Sequence, residues 1–390
     1  MKLPTALISS ELRAVELFAG AGGLALGVHQ AGFRHEVMVE RDKTACATLR
    51  ANNTHAVWPL VEGDVRVYDF ASVVPGISLL AGGPPCQPFS LGGKHQGYQD
   101  SRDLFPEAVR AVHALQPRAF LFENVRGLLR ESFAHYFSYI LLRLTYPDVM
   151  RRSDESWTDH RARLEQHHTG GVERGLTYRV MFQLLNAADY GVPQRRERVF
   201  IVGFRADQDV EWAFPTPTHS AAALYWSQWG TGEYWTRHDL ERPTPPLATQ
   251  PSLLPVQQPW RTVRDALADL PDPRQTAAAG IANHYYMPGA RPYPGHTGSL
   301  LDQPAKTLKA GDHGVPGGEN MFVTPDGDIR YFTVRESARL QTFPDDYVFC
   351  GSWSESMRQL GNAVPVTLSR IVAHSIAARL ATTKGHAGNA

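Results

Sequence analysis

The chain has 390 residues, 43% apolar and 20% charged, and its 39 Lys and Arg balance 39 Asp and Glu. That mix excludes a disordered polyelectrolyte, which combines low hydrophobicity with high net charge, and a protein that holds nucleic acid by bulk charge. Neutrality still allows a basic face offset elsewhere. Arginine supplies 33 of the cations and lysine 6; arginine suits phosphate forks, although a codon bias gives the same composition. Cys46, Cys86 and Cys350 stand 40 and 264 residues apart, which is neither a disulfide framework nor a zinc spacing and fits a reducing cytoplasm. The opening MKLPTALISS is too weak for a signal peptide. No apolar run nears the ~20 residues of a membrane span.

In chain order, 13–18 reads as a short apolar strand running into Ala19-Gly20-Ala21-Gly22-Gly23, and 24–32 as a helix ending at glycine. Residues 36–40 and 43–52 give a second strand and helix. A strand at 77–81 stops at Gly82-Gly83-Pro84-Pro85. A helix at 105–115 and a strand at 118–122 follow. The polar stretch 146–174 reads as a surface excursion, with His167 and His168 as solvated side chains and not a metal pair. Residues 198–204 (RVFIVGF) form a continuous apolar strand of the kind buried on both faces. Alternating β and α predicts an α/β fold with a doubly wound, mostly parallel sheet. After 214 the texture changes: 16 of the 28 prolines lie between 215 and 325, and five of the eight tryptophans between 212 and 260. This reads as a second, smaller, loop-rich domain. The α/β texture returns near Arg335, and 356–380 ends in a helix.

The glycine turn at 19–23 lies between a strand and a helix, where a ligand approaches backbone and helix N-terminus. Glu40 ends the next strand, 20 residues after Gly20, where an acid binds ribose hydroxyls. Asp64, in Gly63-Asp64-Val65, offers an acceptor to an adenine amino group. Together these favour an adenosine-type cofactor over a structural turn, and the absence of G-x-G-x-x-G counts against a plain NAD enzyme.

Cys86 follows a strand end in Gly83-Pro84-Pro85-Cys86, a stiff loop that is costly to use as packing; a nucleophile is favoured over a small buried apolar side chain. Glu123, in Glu123-Asn124-Val125, sits at another strand exit. Beside a thiolate in a closed site its pKa should rise, so that it holds a proton near neutrality; a helix-capping acid is the plainer alternative. Arg196 and Arg198 alternate at the mouth of the apolar strand and need partners: a phosphate, a carboxylate or a base carbonyl, or an internal salt bridge.

Six blocks, 16–23 (ELFAGAGG), 83–90 (GPPCQPFS), 123–125 (ENV), 194–203 (QRRERVFIVG), 335–344 (RESARLQTFP) and 359–365 (QLGNAVP), resemble the ordered motifs of the DNA (cytosine-5)-methyltransferases of bacterial restriction-modification type. The resemblance implies the S-adenosylmethionine-dependent methyltransferase Rossmann-like fold, with S-adenosyl-L-methionine as donor and S-adenosyl-L-homocysteine as product. By the same resemblance Phe18, Gly20, Gly23, Pro85 and Leu104 border the cofactor, Glu40 holds its ribose, Asp64 and Val65 its adenine, and Asn362 and Val364 return to it. Relatives often carry an aromatic residue where this chain has Arg41, so a guanidinium plane replaces that stacking or the stacking is weaker.

Cys86 is then the nucleophile toward cytosine C6, Glu123 contacts N3 and the exocyclic amine, and Arg198 contacts the base carbonyl with Arg196 in support. The target cytosine flips out of double-stranded DNA. The loop 90–103 is a candidate lid, with Ser90 and Lys94 on phosphate, and Thr307 meets the backbone near the target. The implied division is 1–215 catalytic and cofactor-binding, 216–330 target recognition (with 311–318 as a recognition loop) and 331–390 a return segment. A cytoplasmic monomer without metal, with or without a cognate restriction endonuclease, is expected. The rivals are an RNA (tRNA) cytosine-5 methyltransferase on the same scaffold, an amino methyltransferase, which places an aromatic where Cys86 stands, and a catalytically silent DNA-binding homologue.

Overall fold

The structure is a computed structural model and describes residues 12–53, 59–85, 103–171, 175–244, 255–292, 297–310, 320–324 and 326–382. It divides into two compact units. The first comprises Met1–Leu185, Glu197–Phe214 and Arg370–Ala390, the second Asn186–Arg196 and Pro215–Ser369. The expected boundaries at 215/216 and 330/331 do not coincide with these packing boundaries, for a physical reason. Residues 193–195 hydrogen-bond along 305–307 (Arg195 N to Ala305 O, 2.8 Å; Ala305 N to Pro193 O, 2.9 Å), which carries them into the second unit. Arg335 and Phe349 are bound there to Ala282 and Asn283.

The first unit is built on a seven-stranded sheet. Its elements are β1 (Arg13–Leu17), α1 (Gly23–Gln30), β2 (Arg34–Glu40), α2 (Lys43–Ala51), β3 (Leu60–Glu62), β4 (Leu79–Gly82), α3 (Phe105–Leu115), β5 (Ala119–Val125), α4 (Ala134–Thr145), α5 (Trp157–Thr169), β6 (Tyr178–Asn186) and β7 (Glu197–Arg205). The strand order is β3-β2-β1-β4-β5-β7-β6. Strands β3 to β5 are parallel; β7 runs antiparallel to β5, from Ala119↔Phe204 to Val125↔Arg198. Val15, Leu17, Val39, Leu80, Phe120, Phe122, Val199 and Ile201 pack into one apolar cluster with side chains of α3, α4 and α5. Their alternates Ala14, Met38, Leu79, Ala81, Leu121, Phe200 and Val202 are fully buried too. Both faces are therefore covered, as continuous apolar strands require. This is the α/β, mostly parallel fold that the alternation predicts.

Local chemistry sets the helix ends. The Asp42 carboxylate accepts from the Thr44 and Ala45 N–H groups to start α2, and Ser156 starts α5 by accepting from Asp159. The surface stretch 146–174 contains a helix, α5, that its sequence does not announce. Only His160 and Leu164 of it are buried, so its apolar face is too narrow to signal in sequence. His168 bonds the Tyr146 hydroxyl (2.7 Å).

The second unit holds β8 (His219–Ser220), α6 (Ala221–Tyr225), α7 (Glu233–Arg237), β9 (Gln258–Pro259), α8 (Val263–Leu267), β10 (Met321–Val323), β11 (Ile329–Tyr331), α9 (Val334–Leu340) and α10 (Trp353–Asn362). Helix α11 (Val366–Thr382) begins in this unit and ends in the first. Its small aromatic core contains Leu224, Tyr234 and Trp235, with Trp229 and Trp260 against it. Capping boxes start α8 (Thr262/Asp265), α9 (Thr333/Glu336) and α10 (Ser352/Glu355). The helix expected at the end of 356–380 is α11, which follows α10 after Pro365, a residue with no N–H to donate.

Candidate active site

The chain runs outward from β1 to β2 and β3, then returns to lay β4 on the other side of β1. The carboxyl ends of β1 and β4 therefore flank a topological switch point, the crevice in which open α/β sheets bind ligands. Gly82, the last residue of β4, makes this edge tight: a Cβ there would lie 2.6 Å from the Leu17 carbonyl.

After β1 the backbone turns left-handed at Phe18 (φ 57°), Gly20 (54°) and Gly22 (85°), and α1 begins at Gly23. A Cβ at Gly20 would meet nothing within 4 Å, so open space faces this turn. Glu40 fixes it from β2. One carboxylate oxygen accepts from the Gly20 N–H (2.7 Å), the other from Arg41 and Asp42 (2.8 and 2.7 Å). A carboxylate has about four acceptor positions, so these three bonds leave capacity for a hydroxyl. Asp64 caps the turn at Val65–Val67 and pairs with the Arg66 guanidinium (Nε 3.0 Å) and Arg41 (3.6 Å). The Arg66 hydrogen bond holds its carboxyl down at about 2. Val65 is buried, and its carbonyl accepts from Arg110 (2.6 Å). These residues fit an adenosine ligand: a glycine turn with open space above it, an acid with spare acceptor capacity, and a second ionised acid.

Across the switch point, β4 leads into Gly83-Pro84-Pro85. The Asn124 amide donates to the Pro84 carbonyl (2.9 Å), which locks the turn to β5. Pro85 is exposed and accepts from the Leu104 N–H (3.2 Å). Asp103 accepts from the Phe105 N–H (3.1 Å) and from the Tyr136 hydroxyl. Cys86, Ser90 and Lys94, with the rest of 86–102, lie outside the described residues, as does the recognition-loop expectation at 311–318.

Glu123 leaves the carboxyl end of β5 with its side chain 9% exposed, and the Arg198 guanidinium on β7 meets it at 2.8 Å. A Cβ at Gly83 would lie 3.4 Å from its other oxygen. Burial pushes the Arg198 pKa down while Glu123 pulls it up. The pair supplies the charge compensation that a buried acid needs. It leaves a carboxylate and a cation together at the strand edge, beside the proline turn.

Arg196 lies elsewhere. It is fully buried in the second unit and donates to the carbonyls of Leu308 (3.0 Å) and Gly361 (2.7 Å). It thus clips two backbone segments, and the geometry gives the two arginines different work. In the same unit Thr307 donates to the Arg195 carbonyl (2.7 Å). Asn362 is the exposed last residue of α10, and Val364 is buried. Among the described residues no cluster of His, Cys, Asp or Glu has metal-binding geometry, and no helix is long and apolar enough to cross a membrane.

Residues 12–146 and 160–378 match the family described as C-5 cytosine-specific DNA methylase. The chain belongs to that family. The Type II methyltransferase M.PspPI of Psychrobacter sp. (strain TA137) is 34% identical over 377 residues, 93% of this chain and 78% of the relative. The Type II methyltransferase M.NgoMIV of Neisseria gonorrhoeae is 31% identical over 370 residues, 94% of this chain and 97% of the relative. A crystal structure of a DNA modification methyltransferase encoded within an E. coli prophage aligns with a TM-score of 0.57 at 22% identity, over 93% of this chain and 98% of that one, and shows likeness of fold. The protein is a DNA (cytosine-5) methyltransferase, and S-adenosylmethionine is the methyl donor that the family implies.

Sequence reasoning about this methyltransferase missed two supports. Asn124 is buried and donates to Pro84, a role that shows only in the structure, since burial is not written in the sequence. Tyr136 carries no motif, since its partner Asp103 is 33 residues away.

Proposed function

We propose that the protein methylates C5 of a cytosine flipped out of a short specific site in duplex DNA, through a covalent bond between Cys86 and C6. The observation that carries this reading is the Glu123–Arg198 pair at the end of β5, beside the proline turn that precedes Cys86.

Cytosine C5 is a poor nucleophile. Addition of the Cys86 thiolate to C6 moves the C5=C6 electron pair onto C5 and makes the ring an enamine. Glu123 contacts N3 and the exocyclic amine and stabilises the adduct as the S–C6 bond forms. Arg198 keeps that carboxylate oriented and donates to the base carbonyl. S-adenosylmethionine, when bound, supplies an electrophilic sulfonium methyl group for C5. Phe18, Gly20, Gly23 and Glu40 hold its ribose side, Asp64 and Val65 its adenine, and Pro85 and Leu104 complete the pocket. A base then takes the C5 proton, the C5=C6 bond re-forms and the Cys86 thiolate leaves. Arg196 supports the reaction by keeping Leu308 and Gly361 in place. Ser90, Lys94 and Thr307 contact DNA phosphates. The likeness to Type II methyltransferases supports a modification role; the protein acts as a monomer, with or without a cognate restriction endonuclease.

Duplexes carrying 5-fluorocytosine test the covalent step, because fluorine cannot leave C5 as a proton does and elimination is blocked. In the presence of S-adenosylmethionine, mass spectrometry should find the DNA attached to the peptide containing Cys86, and no adduct with Cys86→Ala. An adduct elsewhere, or none from a protein that turns over ordinary DNA, contradicts the mechanism.

A further inference from the structure

We propose that Arg195, flanked by Lys306 and Lys309, is a phosphate-contact site on the second unit that grips the DNA backbone independently of sequence. The proposal rests on DNA being the substrate.

The block Gln194-Arg195-Arg196 separates cleanly by direction. Gln194 and Arg196 are fully buried. The Gln194 amide accepts from the Leu308 N–H (3.0 Å) and donates to the Leu340 carbonyl (3.3 Å), while Arg196 clips Leu308 and Gly361. Arg195 lies between them with its side chain exposed. Alternation in an extended segment accounts for this: two inward neighbours force the middle residue outward.

The main chain under Arg195 is held on both sides. Its N–H donates to the Ala305 carbonyl (2.8 Å), and its own carbonyl accepts from the Thr307 hydroxyl (2.7 Å). Lys306, next to Thr307, donates to the Thr297 hydroxyl (3.2 Å). Lys309 is exposed, and its N–H and carbonyl are both engaged by the Asn320 side chain (3.1 and 3.0 Å). Three cations therefore stand on a platform of two hydrogen-bonded segments.

Charge points to the partner. Among the described residues no carboxylate pairs with Arg195. Acidic residues slightly outnumber basic ones in this unit as a whole, so the cationic face is local and is no sample of a general basicity. A guanidinium fork beside ammonium groups matches phosphate oxygens. A phosphate contact positions the duplex and carries no sequence information.

The test measures equilibrium binding of a short random-sequence duplex against salt, with S-adenosylhomocysteine present. Each cation that neutralises a phosphate adds about 0.9 to the magnitude of the slope of log K against log salt. Arg195→Gln should lower that magnitude by about one contact's worth, raise the KM for DNA several-fold, and leave kcat and S-adenosylhomocysteine affinity unchanged. Arg195→Lys should restore the slope. A wild-type slope in Arg195→Gln overturns the proposal. So does a loss that Arg195→Lys fails to rescue, which would assign Arg195 a structural role. A loss confined to the methylation target, with random duplex unaffected, overturns it in favour of base reading.

Discussion

Glu16 and His35 form a buried pair in the first unit, with His35 Nε2 3.1 Å from the Glu16 carboxylate and both side chains out of solvent. Burial pushes the Glu16 carboxyl above its ordinary 4.5, and the His35 hydrogen bond only partly offsets this. The unfolded chain therefore ionises Glu16 at lower pH than the folded one does. Stability carried by this group is present below pH 4.5 and is lost as pH rises from there to the folded value, at a rate of at most about 1.4 kcal/mol per pH unit. Glu16→Gln lacks that loss. Urea midpoints taken from about pH 4 to 8 should show the wild type losing ground to Glu16→Gln as pH rises, and a constant or widening wild-type advantage would contradict this. Nothing in the sequence marks Glu16 as half of a buried pair, because its partner lies 19 residues away on another strand. Glu123 and Arg198 were legible because a charge at a buried strand mouth needs a partner. Arg196 was not distinguishable from Arg198, since backbone carbonyls, its actual partners, leave no mark in sequence.

At the scale of elements, β1, β2, β4, β5 and β7 were legible because their apolar runs end in turn signals, whereas β3, three residues long, and β6, little buried, were not. Helix α5 was not, because two buried side chains make no periodic stripe. The segment at Thr307-Leu308 was named by resemblance, but what holds it was invisible. Gly361 lets α10 approach so closely that a Cβ there would lie 2.3 Å from Ala310 N and 2.5 Å from the Lys309 carbonyl carbon. Backbone cannot step aside as a flexible side chain does. Gly361→Ala should therefore cost about 1–3 kcal/mol, the usual range for overpacking, and should displace the Arg196 clip at the Gly361 carbonyl. Denaturant unfolding checks the first effect, and DNA affinity at fixed salt the second. Unchanged stability would mean that α10 and 309–310 do not pack this tightly.

For the whole molecule, the sequence carries the chemistry in small blocks that the parallel sheet gathers at one edge. The turn after β1, the proline turn after β4 and the acid ending β5 are far apart in the chain but follow adjacent strands. Hydrogen bonds along 193–195 and 305–307, which proline content does not reveal, place 186–196 with the loop-rich second unit. Methyl transfer to cytosine C5 of DNA by way of Cys86 is tested by following labelled methyl from S-adenosylmethionine to duplex DNA, with tRNA in parallel and Cys86→Ala as control. Label should appear at cytosine C5 of DNA, be absent from tRNA and be abolished in Cys86→Ala. Label on tRNA alone, or label on DNA that survives Cys86→Ala, would contradict the proposed reaction.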